Sequence, residues 1–261
     1  MKRYKVGIIG AGNMGGAIAR GLSHGSYINT SDIIVSNPSS NKLEALKQEF
    51  PTIQTTNNNE QAVENSDLII LAVKPWKVEE VLKKLNIKRT QILVSVAAGV
   101  TCDTLAQFVK SEATVIRAIP NTAISELESL TLVTTKNASD EETQLIIKIF
   151  DEMGIAIQVE EEKLSAATAL TSCGIAYIFK YVQAAMQAGT ELGIRPKDSM
   201  KMLAETLKGA GEILLNNENT HPAIEIDKVT TPGGITIKGI NSLEHSGFSS
   251  AIINAIKESA I

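Results

Sequence analysis

A short apolar run, Tyr4–Ile9, ends in Gly10-Ala11-Gly12-Asn13-Met14-Gly15, and Ala17, Ile18 and Leu22 follow at helical spacing. Strand, glycine turn and helix in that order leave few folds open. In a dinucleotide-binding unit the first glycine makes the tight turn and the second admits the pyrophosphate. The third lets helix and strand approach. Gly10, Gly12 and Gly15 occupy those places, with Asn13 and Met14 between them.

The alternation continues downstream. Asp32–Ser36, Asp67–Val73, Gln91–Val96, Thr114–Ala118, Leu130–Thr135 and Ile155–Val159 read as strands. Ser39–Phe50, Pro75–Leu85, Thr101–Lys110 and Ser139–Glu152 read as helices. This predicts an α/β class with an N-terminal Rossmann-type, doubly wound, mostly parallel sheet. From Glu160 the pattern is helical throughout. Ile175, Ile178, Val182, Ala185 and Gly189 share one helix face. Pro196 opens another helix, with Met200, Leu203, Leu207 and Gly211 on one side. The predicted division is a dinucleotide-binding domain over 1–159 and an all-helical dimerisation and substrate domain over 160–261. Small residues on the helix faces suit a homodimer.

In a doubly wound sheet the ligand lies across the carboxyl ends of the strands. Three of those ends carry chemistry. After the second strand, Ser36-Asn37-Pro38-Ser39-Ser40-Asn41-Lys42 offers no carboxylate for an adenosine ribose 2′-OH and none to repel a 2′-phosphate. That favours NADP(H). NAD(H) stays open, because no Arg clamp is present and Lys42 is the only cation nearby in sequence. The same residues also suit a turn and a helix cap. Ala72-Val73-Lys74-Pro75 puts a lysine at the cofactor edge and a proline at a helix start. Ala97-Ala98-Gly99 is small and flat, as a nicotinamide neighbour must be, and equally fits a close-packed turn.

A second motif stands near the C-terminal end. Thr230-Thr231-Pro232-Gly233-Gly234-Ile235-Thr236 interrupts a helical pattern with a proline and paired glycines. If Ile235 onward is helical, backbone N–H groups there favour an anion, and Thr231 and Thr236 add hydroxyls. A carboxylate cradle and a plain inter-helix turn both fit. Ile235 has no polar role and is expected to pack inward.

Composition narrows the partners. Net charge is −4 and hydrophobic content 43%. There is no basic run or aromatic-interleaved patch for a nucleic acid, no span for a membrane and no signal h-region. Cys102 and Cys173 form no disulfide framework, and His24, His221 and His245 are too scattered for a metal site. The expectation is a soluble cytoplasmic protein with a small-molecule substrate and no metal.

Taken together the chain resembles the pyrroline-5-carboxylate reductase family over essentially its whole length. The resemblance is carried by Gly10–Gly15 with Asn13-Met14, Ala72-Val73-Lys74-Pro75, Ala97-Ala98-Gly99, Pro120-Asn121-Thr122 and Ala176-Tyr177. Above all it is carried by Thr231-Pro232-Gly233-Gly234 with Thr236. It implies NAD(P)H-dependent reduction of 1-pyrroline-5-carboxylate to L-proline, the last step of proline biosynthesis. It also implies a homodimer through the helical domain, commonly assembled into a ring of dimers. Residue by residue, it implies cofactor contacts at the glycine loop, Ser36, Asn37, Asn59, Ala72–Pro75 and Ala97–Gly99. Implied substrate contacts are Thr231, Gly233, Gly234 and Thr236, the last bonding the ring nitrogen as the catalytic residue. The chain departs from the family pattern at Thr171-Ser172-Cys173-Gly174-Ile175, Gln183, Ala123 and Ser249. These departures keep open a non-catalytic or regulatory paralogue and a reductase of a related cyclic imine. A β-hydroxyacid dehydrogenase would need a Lys and an Asn one helical turn on, but Ala184 follows Lys180 at that distance.

Overall fold

Val6–Ile9, four consecutive buried residues, form β1 at the centre of the sheet. The computed structural model describes residues 3–109 and 113–260. By its contacts the chain divides into two units, Met1–Ser172 and Cys173–Ile261.

In the first unit β1 is followed by α1 (Asn13–His24), β2 (Ile33–Ser36), α2 (Ser40–Glu49), β3 (Gln54–Thr56), α3 (Asn59–Glu64) and β4 (Leu68–Leu71). Then come α4 (Val78–Leu82), β5 (Ile92–Ser95), α5 (Cys102–Ala106), β6 (Thr114–Ile119), β7 (Ser129–Lys136), α6 (Asp140–Asp151), β8 (Gly154–Gln158) and α7 (Glu161–Thr168). The eight strands order as β3-β2-β1-β4-β5-β6-β7-β8. All neighbours pair in parallel except β6 and β7. The doubly wound, mostly parallel sheet expected from the sequence is therefore present. The chain order reverses direction outward from β1 and β4, the crevice where such sheets bind ligands.

Register explains the core. Ile8, Ile70, Val94 and Ile116 sit side by side across four strands and bury one face against α1, α2 and α6, with Ile18, Leu22 and Phe150. Their neighbours Ile9, Ile69, Leu71, Leu93 and Val115 point the other way, to Val78, Leu82 and Leu105. Each fully buried Leu or Ile contributes about 1.5–3 kcal/mol. Both faces are apolar, so these strands read as continuous apolar runs.

Several boundaries differ from expectation. β3 is a polar edge strand that no apolar run announces. The helix expected over Pro75–Leu85 is a 3₁₀ turn, Pro75–Lys77, leading into the short α4. The one expected over Thr101–Lys110 is helical from Cys102 to Ala106, and Lys110 lies outside the described residues. The helical pattern expected from Glu160 does begin there, with Glu160 capping α7, and by its contacts α7 falls within the sheet-bearing unit. Leu164 is buried with Ile119 and Leu132, which ties this helix to β6 and β7.

The second unit holds α8 (Gly174–Glu191), α9 (Pro196–Leu215), α10 (Pro222–Val229), α11 (Ile235–His245) and α12 (Phe248–Ser259). α8 packs on α9, and α11 on α12. Tyr177 on α8 donates from its hydroxyl to the Ala255 carbonyl of α12 at 3.2 Å. Ser199 is the one buried residue assigned to these five helices among the described residues.

Candidate functional site

The carboxyl ends of β1, β2, β4 and β5 open onto a cleft of about 670 Å³. Its floor is the glycine loop. Gly10 adopts φ +102° and its N–H donates to the Ser36 carbonyl at 2.8 Å, while Ala11 N–H donates to Asn37 Oδ1 at 3.1 Å. Gly12 caps α1, and no protein atom lies within 4 Å of where a Cβ would project from it. Gly15 is the opposite case. A Cβ there would meet the Gly10 carbonyl oxygen at 1.9 Å and Ala72 Cβ at 2.9 Å. The second glycine thus leaves room for a ligand, and the third allows the helix to touch the sheet.

Of the expected cofactor residues, Gly10, Gly12, Asn13, Met14, Asn37, Asn59, Ala72, Val73, Lys74, Pro75, Ala97 and Ala98 line this cleft. Gly15, Ser36 and Gly99 do not. Ser36 is fully buried, and its hydroxyl donates to Asn59 Oδ1 at 2.7 Å, so it orients a residue that lines the cleft. Gly99 adopts φ +74° in open space.

The cleft has a second basic wall that the sequence reading did not find. Lys77, Glu80, Val81 and Lys84 line it together with Asn37, Pro38 and Lys42. Glu80 accepts from Lys84 at 3.0 Å and lies 3.8 Å from Lys77. The hydrogen bond from Lys84, then the charges of Lys84 and Lys77, hold the Glu80 carboxyl below the usual range. Four lysines against one glutamate make the cleft a favourable place for phosphates. The spacing 77, 80, 81, 84 is one helix face and was the available signal. Lys74 also reaches toward Trp76, 6.0 Å from its ring centroid.

In the second unit the Thr-Pro-Gly-Gly motif forms a turn into α11. Gly234 N–H donates to the Thr231 carbonyl at 2.9 Å, and Gly233 adopts φ +71°. Proline second and a left-handed glycine third is the type II pattern. A Cβ on Gly234 would lie 2.7 Å from Thr231 Oγ1 and 3.0 Å from the Thr231 carbonyl oxygen, so a side chain there would crowd the turn. The Gly234 N–H is engaged within the turn. The donors left open are at the first turn of α11, where helix geometry leaves Ile235, Thr236 and Ile237 without intrahelical acceptors. Thr231 and Thr236 are both exposed. Ile235, expected to pack inward, is 87% exposed, because nothing in its own unit covers the start of α11.

Residues 161–261 match the family described as pyrroline-5-carboxylate reductase dimerisation. Residues 5–99 match the family described as NADP oxidoreductase, coenzyme F420-dependent. Pyrroline-5-carboxylate reductase 2 of Dictyostelium discoideum is 34% identical, over 98% of this chain and 90% of that protein. The chain belongs to the pyrroline-5-carboxylate reductase family. Pyrroline-5-carboxylate reductase 1 of the same organism is 36% identical over the whole chain, which spans 50% of that longer relative. A solved pyrroline carboxylate reductase of Plasmodium falciparum with NADP bound superposes with a TM-score of 0.88 at 27% identity. That match covers 100% of this chain and 97% of the other.

Within the reductase family the departures of this chain have local partners. Gln183 Oε1 accepts from Lys180 Nζ at 3.0 Å, and Ser249 donates to Glu244 Oε1 at 2.7 Å. Ala169–Cys173 forms a π-helical turn in which Thr171 donates to the Ala167 carbonyl. Ser172 donates to the Pro120 carbonyl at 3.2 Å, which holds the end of the first unit against β6.

Proposed function

We propose that the protein reduces 1-pyrroline-5-carboxylate to L-proline at the expense of NADPH. The observation that carries this reading is the Thr231–Gly234 turn at the head of α11, in a chain that also has an open dinucleotide cleft. Gly12 stands clear of every protein atom at the place where a pyrophosphate would come. No carboxylate follows β2, and Lys42, Lys77 and Lys84 line the cleft, so the residues fit NADP(H) in preference to NAD(H). When bound, the reduced nicotinamide supplies a hydride to the imine carbon.

The chain's own work is positioning and charge. Gly10, Gly12, Asn13 and Met14 hold the pyrophosphate end, Ala72–Pro75 the middle, and Ala97–Gly99 the nicotinamide end. Gly15 and Ser36 support them from below, and Asn37 and Asn59 face the adenosine. Thr231, Gly233 and the first amides of α11 take the substrate carboxylate, with Gly234 keeping the turn tight. The Thr236 hydroxyl bonds the ring nitrogen and orients it. A Thr hydroxyl is too weak an acid to be the final proton source, so the substrate arrives protonated or draws on water.

Steady-state oxidation of NADPH with pyrroline-5-carboxylate tests the reading directly. Turnover is expected, with NADPH giving the higher kcat/KM than NADH. Thr236→Ala is expected to lower kcat by about 10- to 100-fold while NADPH affinity holds. Cofactor binding without any turnover would sink the enzymatic reading.

The same reading includes a cytoplasmic homodimer built through the helical unit. Its support is the dimerisation family matched by residues 161–261 and the apolar side chains that α8–α12 leave uncovered. A ring of such dimers is the assembly the resemblance implies, and light scattering would count its subunits.

A further inference from the structure

The segment from Val96 to Thr101 carries Ala97 and Ala98 into the cleft wall. Its far end is held by a single carboxylate oxygen. Glu161 Oε1 accepts from the Cys102 backbone N–H at 2.7 Å and from Arg117 Nη1 at 2.9 Å. Cys102 opens α5, and its N–H is one of the donors that a helix start leaves without an internal partner. Glu161 itself lies in the first turn of α7. The carboxylate is therefore favoured by the Cys102 amide, the start of α7 and the Arg117 guanidinium together.

Arg117 stands on β6 beside Ser95 of β5, the strand that feeds the segment. Its side chain is 9% exposed, and its Nε is buried without a partner. The pair is half-buried, with Arg117 enclosed and Glu161 34% exposed, and it leaves one enclosed donor unmet, a costly arrangement for a purely structural joint. The other side-chain bonds of the segment are local. Ser95 Oγ accepts from Ala97 N–H at 3.3 Å, and Thr101 caps its own helix. Lys136 also reaches Asp103, but both are well exposed and such pairs hold little. The tie from Glu161 is thus the less exposed of the two.

We propose that Glu161, held by Arg117, is a positioning residue that sets the Ala97–Thr101 wall against the nicotinamide end of the cofactor. This rests on the reading that Ala97–Gly99 face the nicotinamide. Glu161 touches neither cofactor nor substrate, and acts through the Cys102 N–H on the loop that does.

The test uses the full chain, with NADPH and with 2′,5′-ADP, which occupies only the adenosine end. Glu161→Ala is expected to lower kcat about 10- to 100-fold, the cost of a small misplacement at the reacting end. It should also weaken NADPH and leave 2′,5′-ADP affinity unchanged by calorimetry. Glu161→Gln keeps an oxygen that accepts both bonds and is expected to restore most of kcat. Glu161→Asp keeps the charge but retracts it, and carries the same expectation at smaller size should the alanine variant fail to fold. Wild-type kcat in Glu161→Ala would overturn the proposal. So would equal weakening of NADPH and 2′,5′-ADP, which would mean a general loss of structure. Ala98→Val separates the two readings. If it leaves NADPH binding and kcat untouched, the wall does not face the nicotinamide and the proposal goes with it. If it impairs both while Glu161→Ala is silent, only the positioning role falls.

Discussion

At the scale of single residues, two glycines three positions apart in sequence, Gly12 and Gly15, do opposite work. A methyl group on Gly15 has no room, because the Gly10 carbonyl oxygen lies 1.9 Å from its place. Gly15→Ala must push α1 off the sheet, at a cost of about 1–3 kcal/mol. A methyl group on Gly12 meets nothing, and its φ of −69° suits any residue. Gly12→Ala is therefore expected to keep the wild-type Tm and to lose NADPH affinity, whereas Gly15→Ala loses Tm first. Thermal melts and cofactor titration on both variants check this, and a lowered Tm in Gly12→Ala would remove the ligand-clearance role. Residues of this kind were legible in the sequence, since the fingerprint assigns each glycine a separate job. Lys77, Glu80 and Lys84 were not read, because their relevance depends on the direction in which α4 leaves the sheet. The hydrogen bond that engages the Gly234 N–H was not legible either, because the turn that uses it closes only in three dimensions. Cys102 is chemically quiet for a related reason: burial, then the Glu161 carboxylate, push its thiol up to about 12.

At the scale of elements, α6 shows how a local signal fixes a boundary. Ser139 Oγ accepts from the Glu142 N–H at 3.2 Å, and Glu142 Oε2 accepts from the Ser139 N–H at 2.8 Å, a complete capping box. Glu142 also accepts from Thr114 Oγ1 at 2.9 Å, which links the helix start to β6. Burial acts to raise the Glu142 carboxyl, but the hydrogen bonds from Ser139 and Thr114 outweigh it and leave it below the ordinary 4.5. A lowered folded value means the contribution is complete above pH 4.5 and is lost as pH falls through that lower value. Ser139→Ala is expected to cost about 1 kcal/mol at neutral pH. The gap from wild type should narrow in acid, as Glu142 protonates in both proteins. Urea unfolding across that pH range measures it, and a gap independent of pH would exclude the Glu142 half of the box. The strong elements, β1, β4, β5, β6 and α6, were plain in the sequence as apolar runs or capped periodic stretches. β3 was missed because Gln54-Thr55-Thr56 lies at the sheet edge and has only one neighbour to satisfy.

At the scale of the whole molecule, the two units differ in how they are held. The sheet-bearing unit has large apolar clusters on both faces of its strands. Among the described residues the helical unit has none. Phe179, Leu192, Leu215, Val229 and Ile235 are each more than 60% exposed, and among the described residues α8–α12 bury Ser199 alone. Five helices with apolar stripes and no core of their own need a second surface to cover them. The dimerisation family matched by residues 161–261 suggests that the surface is another copy of this chain. A fold completed by association has a stability set by concentration, because dissociation exposes what folding alone did not bury. The melting temperature is therefore expected to rise with protein concentration, and light scattering is expected to show at least two chains at all concentrations where the protein is folded. Phe179→Asp places a charge on the exposed apolar surface of α8. It should lower the melting temperature and make it more strongly dependent on concentration, while α1 and the glycine loop still bind NADPH. A stable monomer with an unchanged melting curve would mean that the helical unit holds itself together, and that its uncovered apolar faces serve something other than a second copy.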